Sequence, residues 1–151
     1  HDPEGFFNSF KGLMDRSLND EVYSFISVKS HNDEYYFSKN PLMKMLAYSN
    51  SNGIPVWTAL KQLDFIKMRE EATFTNTTWS NNSLSFNLNS SITNRNGLTI
   101  MIPHNFGNKK IKGISKNGDD ASFIVREVRG SEYALLTVEP GKMYQISASY
   151  R

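Results

Sequence analysis

The chain has 151 residues, room for one domain or two small ones and for a real core, but too little for an eightfold α/β barrel with an appendage. Its 17 basic and 15 acidic side chains leave a formal charge of +2, scattered except for Lys109, Lys110 and Lys112, which argues against nucleic acid as a partner. With no cysteine there is neither a disulfide nor a thiolate metal site, and no apolar run reaches the roughly 18 residues of a membrane span. No signal peptide is visible, and the chain opens at His1 rather than at methionine, so it is read as a processed product or a fragment.

Asp2-Pro3-Glu4 is a helix start, with a capping carboxylate, proline at the first helical position and an acid at the positive end of the dipole. Phe6, Phe7, Phe10, Leu13, Met14 and Leu18 recur at intervals of three and four and predict a buried stripe. Residues 21–29 are β-prone and apolar on both faces, as a covered strand would be. From Asn40 to Glu71 the sequence reads as helix, strand and helix. Asn40 caps a helix that opens at Pro41 and ends at Gly53, Ile54 to Trp57 form a short strand, and Thr58 caps a second helix. Phe6, Phe10, Leu13, Val22, Ile26, Leu42, Leu46, Val56, Leu63 and Ile66 are expected to share one core.

After Glu71 the apolar period changes from 3.6 to 2. Thr73 to Trp79 reads as a strand, Asn81-Asn82 as a turn, and Leu84, Phe86 and Leu88 as the buried face of the next strand. Leu98, Ile100 and Ile102 make a third such face, and Ile111 with Ile114 a fourth. Asn117-Gly118 is the strongest hairpin signal, because both residues accept positive φ at little cost. Phe123 and Val125, then Ala134, Leu136 and Val138, then Tyr144, Ile146 and Ala148 complete the pattern, with Pro140-Gly141 as a type II turn. The fold class is therefore α+β: a small α/β segment over residues 1–71, followed by an antiparallel β-sandwich of about seven strands over 72–151.

Chemistry is sparse. His31, directly after the first expected strand and followed by Asp33 and Glu34, is the candidate acid or base, with Asp33 or Glu34 orienting it or serving separately, and His31 and Asp33 are taken as the catalytic pair. Trp79, Tyr133, Tyr144 and Tyr150 are candidates for an aromatic platform under a sugar ring, and Trp79 and Tyr133 are taken as the carbohydrate-binding pair. Asn76, Asn81 and Asn89 each stand two positions before Ser or Thr and are glycosylation candidates if the chain is secreted. No phosphate-binding loop, nucleophile elbow, H-E-x-x-H or calcium loop occurs.

The run GIPVWTALKQLDFIKMRE, then Phe74-x-Asn76-x-x-Trp79, then LSFNL and GLTIMIP resembles the C-terminal end of large secreted polysaccharide-deacetylase-like proteins. The matching residues include Gly53, Pro55, Trp57, Leu63, Phe65 and Arg69, then Trp79, Phe86, Gly97 and Pro103, and later Gly130, Tyr133, Gly141 and Tyr150. The resemblance implies that residues 1–71 are the last units of an incomplete barrel and that His31 protonates a leaving amine. It further implies a polysaccharide as partner, a missing upstream barrel or partner chain, and an extracellular or cell-surface location. The family's metal site uses an early aspartate pair and a histidine doublet spaced four apart, whereas this chain has only His1, His31 and His104. No cofactor is therefore expected in this chain, and a divalent metal such as zinc is expected in a longer parent. The alternative reading is a non-catalytic carbohydrate-binding or adhesion module, or a self-associating surface or matrix protein whose sheet edges pair with neighbours.

Overall fold

A computed structural model of the chain describes residues 2–19, 24–90 and 97–151. The fold class is α+β, with three α-helices preceding all of the strands, and the chain forms two compact units, residues 1–57 and 58–151.

In the first unit, α1 (Pro3–Leu18) starts as its sequence dictates: the Asp2 carboxylate accepts from the Gly5 N–H at 2.9 Å and Pro3 occupies the first turn. After a short 3-10 turn (Asn32–Glu34) comes α2 (Tyr35–Ser51), which lies against α1. Met14 and Met45 are buried between them, and the buried Ser49 hydroxyl donates to the Met45 carbonyl at 2.8 Å. On the rim, Asp15 accepts from Lys11 at 2.6 Å and from the Tyr48 hydroxyl, and Lys44 pairs with Glu4.

Three expectations are corrected in this unit. Residues 24–29 and Ile54 to Trp57 are not strands: a strand needs a neighbour to take its N–H and C=O groups, and no strand occurs among the described residues of this unit. Val22 and the rest of 21–23 lie outside the described residues. Helix α2 begins at Tyr35, so Asn40 is no cap and buried Pro41 sits inside the helix, where its ring nitrogen has no N–H to donate to the preceding turn. The expected core is also largely on the surface, since Phe6, Leu13, Leu46 and Val56 are exposed. So small a unit buries little, and Met14 and Met45 fill the space between the helices.

The second unit opens with α3 (Ala59–Glu71), capped by the Thr58 hydroxyl accepting from the Lys61 N–H at 3.2 Å. Nine strands follow: β1 (Thr73–Ser80), β2 (Ser83–Asn89), β3 (Leu98–Pro103), β4 (Asn105–Phe106), β5 (Lys109–Lys116), β6 (Asp119–Ala121), β7 (Ile124–Val128), β8 (Ser131–Val138) and β9 (Met143–Tyr150). They build a six-stranded sheet in the order β1-β2-β9-β5-β4, with β6 also on β5, and a three-stranded sheet in the order β3-β8-β7; every pairing is antiparallel. The nine strands exceed the expected seven because the short β4 and β6 flank β5.

Alternation does most of the building. In β3 every second residue is buried, and the same holds along β8 and β9. Phe86, Leu88, Ile111, Ile114, Ile146 and Ala148 of one sheet share a core with Leu98, Ile100, Ile102, Ala134, Leu136 and Val138 of the other, a sandwich-like arrangement. Helix α3 belongs to this core: Met68 is 1% exposed within it, and Phe65 and Ala72 pack against it. The units therefore divide between Trp57 and Thr58, upstream of the change of period at residues 71/72, and Leu63 and Ile66, on the other side of α3, stay exposed.

Turn chemistry follows the sequence. Asn81 and Asn82 have φ of 50° and 61°, and Asn117 and Gly118 have 57° and 92°. Gly53 ends α2 at φ 64°, and Gly141 takes the positive φ of a turn after Pro140. The Tyr144 hydroxyl accepts from the Glu139 N–H and donates to the Glu139 carbonyl, which pins that turn to β9.

Candidate functional site

The most chemically equipped part of the second unit is the corner where the chain leaves one sheet for the other. Strand β3 ends at Pro103 in the three-stranded sheet and β4 pairs with β5 in the six-stranded one, so His104 is the point of crossing. Its N–H donates to the Glu132 carbonyl at 2.9 Å and its carbonyl accepts from the Ile111 N–H at 2.9 Å, which ties β8 and β5 to the same residue. The His104 Nδ1 is buried without a hydrogen-bond partner among the described residues.

Asn105 and Phe106, successive in β4, have different partners. The Asn105 amide donates to Glu132 Oε2 at 3.0 Å, and Lys110 Nζ reaches the same oxygen at 3.3 Å. The Asn105 amide, and next the Lys110 ammonium, hold the Glu132 carboxyl below the ordinary carboxylate range, so it is ionised at neutral pH. Phe106 lies against Trp79, with ring centroids 4.3 Å apart and planes inclined by 37°. Trp79 in turn meets Tyr150 at 5.0 Å. Tyr150 is a fixed base: its ring is buried, its hydroxyl donates to the Pro103 carbonyl at 2.8 Å, and burial pushes that hydroxyl's pKa up. The tip of the β1–β2 hairpin is held in place because the Tyr150 N–H donates to the Asn82 carbonyl at 2.8 Å.

Trp79 and Phe106 are nevertheless 40% and 56% exposed, so a supported aromatic pair is open to solvent, and the residue before Phe106 in β4, Asn105, binds an ionised carboxylate. Rings of this kind stack on apolar faces of a ligand while neighbouring polar groups take its hydroxyls.

The residues singled out from sequence are scattered. His31 precedes the 3-10 turn and Asp33 lies within it; both are exposed, and among the described residues neither side chain has a hydrogen-bond or ion-pair partner. The expected strand end that would have presented His31 is absent. A cleft of about 250 Å³ nearby is lined by Asp2, Phe6, Lys29, Ser30, Glu34 and Phe37 among others, and His31 and Asp33 are not in its lining. Tyr133 is half-buried in β8 of the three-stranded sheet, whereas Trp79 stands in the six-stranded one with Phe106 and Tyr150 as its ring neighbours. Tyr144 and Tyr150 are buried. Asn76, Asn81 and Asn89 are exposed on the β1–β2 hairpin. Phe106 and Asn105 were missed because a two-residue strand carries no period, and Glu132 of β8 because its partners come from β4 and β5 of the other sheet. Their one signal is an aromatic residue in the polar segment between Pro103 and Gly107.

Among the described residues, no three His, Asp or Glu side chains converge as a metal site would require. Among them, too, no helix is long and apolar enough to cross a membrane. No family model, curated protein or solved structure matches the chain.

Proposed function

We propose that the chain is the C-terminal segment of an extracellular or cell-surface polysaccharide deacetylase-like protein, and that its second unit binds polysaccharide through Trp79 and Phe106. The observation that carries the binding reading is the exposed pair of rings 4.3 Å apart, braced by buried Tyr150 and flanked by the Asn105–Glu132–Lys110 group. The kinship rests on the resemblance, which covers most of the chain from about Glu21. It is supported by the apolar residues that the first unit leaves exposed, Phe6, Leu13, Tyr36, Phe37 and Val56, which would lie against the rest of an incomplete barrel or a partner chain. On this reading His31 and Asp33 keep the roles of proton donor and its orienting carboxylate, and residues upstream hold the divalent metal. The three exposed sequons fit a secreted glycoprotein, and mass spectrometry of the secreted chain would find glycans on Asn76, Asn81 or Asn89.

Binding is tested by pull-down on insoluble chitin, deacetylated chitin and cellulose. Replacing both Trp79 and Phe106 by alanine is expected to weaken retention on the preferred polymer at least tenfold, about 1.4 kcal/mol, while circular dichroism stays that of the parent. Equal retention by a folded W79A/F106A variant would refute the assignment. For the isolated chain no acetate release from N-acetylated polymer is expected; release abolished by His31→Ala would overturn that part.

A further inference from the structure

We propose that β1 pairs antiparallel with β1 of a second copy of the chain, in the register that sets Phe74 of each copy against Trp79 of the other. Strand β1 ends the six-stranded sheet, and no strand lies on its other side among the described residues. All eight of its residues are exposed. It has neither a charged residue nor a proline, the usual guards of a free edge, and its one irregularity is a bulge between Thr75 and Thr78, where Asn76 has φ 54°.

That bulge makes the strand self-complementary. Phe74 stands opposite Leu88 and Trp79 opposite Leu84, so the two rings share the core side of the sheet although they are five residues apart. In a regular strand that spacing would put them on opposite faces. The midpoint between them falls in the bulge itself. A second copy turned about a two-fold axis there pairs Thr73 with Ser80, Phe74 with Trp79, and Thr75 with Thr78. The two bulges then meet, two residues against two, and the register survives. Each row joins like to like: ring to ring on the core side, hydroxyl to hydroxyl on the solvent side, with no charge on either strand.

Backbone groups fit the same register. Across the two-residue turn at Asn81-Asn82, Ser80 and Ser83 form a hydrogen-bonded pair, and bonding alternates from there. Thr78 and Thr75, opposite Ser85 and Asn87, keep that phase, so they turn their N–H and C=O toward β2 while Trp79 and Phe74 present theirs to the open edge. Phe74 and Trp79 would thus exchange bonds between copies. Thr75 and Thr78 would face each other in the closer, non-bonded kind of pair, whose Cα separation of about 4.5 Å suits a disulfide.

The test exploits a chain without cysteine, produced without glycosylation because a glycan on Asn76 would cover this edge. Single variants Thr75→Cys and Thr78→Cys are oxidised separately and as an equimolar mixture. A disulfide-linked dimer formed in the mixture well beyond either variant alone is the expected result, together with concentration-dependent dimers of the parent in sedimentation that weaken at least tenfold in Thr77→Lys. Equal cross-linking in all three samples, or none, or a parent monomeric at several hundred micromolar, would overturn the proposal. Thr75 and Thr78 lie on the solvent side of the sheet, opposite to Trp79, so the cross-linking outcome does not depend on polysaccharide binding.

Discussion

Replacing Met68 by alanine tests whether α3 belongs to the sheets or to the helices before it. Met68 is 1% exposed, in contact with the core of the two sheets, with Phe65 and Ala72 beside it. Truncating a buried methionine to alanine costs about 2–5 kcal/mol, the lost transfer energy plus the residual cavity. Helix α3 lies at the edge of the core, where neighbours can partly close the gap, so about 3 kcal/mol is expected. For a domain of about 60–100 residues each kcal/mol lowers the melting temperature by about 4–8 °C, which gives a fall of about 12–24 °C. Leu63→Ala is the control: Leu63 is on the same helix but 46% exposed, so its loss is expected to cost less than about 1 kcal/mol. Thermal melts followed by Trp79 fluorescence in a Trp57→Phe background read the second unit alone. If the two alanine variants shift the midpoint by the same few degrees, Met68 does not anchor α3 to the sheets and the division between Trp57 and Thr58 fails.

Asp15 gives a pH dependence. Its hydrogen bond from Lys11, then that from Tyr48, hold its carboxyl below the ordinary range, so the stability it adds is present above about pH 4 and is lost as pH falls through the lower folded value. Melts of the first unit at pH 5 and pH 3, read by Trp57 fluorescence in a Trp79→Phe background, should therefore differ more for the parent than for Asp15→Asn. Gly118→Ala places a side chain at φ 92° in the β5–β6 turn and should cost about 1–2 kcal/mol by urea unfolding, with an unchanged slope. His31→Ala should leave stability within about 0.5 kcal/mol in the same assay, because the ring is exposed and surface substitutions of this kind cost little.

The β region was legible because each strand faces the core on one side, so a period of two is written into residues such as Leu98, Ile100 and Ile102. Its turns were legible because Asn117-Gly118 and Asn81-Asn82 have a local preference for positive φ that needs no tertiary help. The helical caps at Asp2 and Thr58 are equally local. The strands expected at 21–29 and 54–57 failed in the described part of their length because β-propensity states only that a segment suits a sheet, and no neighbour exists here to complete one. The start of α2 was missed because Pro41 looks like a first-turn residue, and nothing in its vicinity reveals that the helix already runs through Tyr35.

The amino-acid sequence by itself determined the class, the strand alternation, the turns and the absence of thiol chemistry, all of which depend on a residue and its near neighbours. Tertiary structure alone decided that Met68 binds α3 to the sheets, that β3 crosses between sheets at His104, and that Trp79, Phe106 and Tyr150 meet. Those rings are far apart in sequence, and their meeting depends on how β1, β4 and β9 are ordered across the sheet. The same distinction adds the corner of the sheets to the candidate residues named from sequence: a side chain can be named from sequence, but its partners come from strand order.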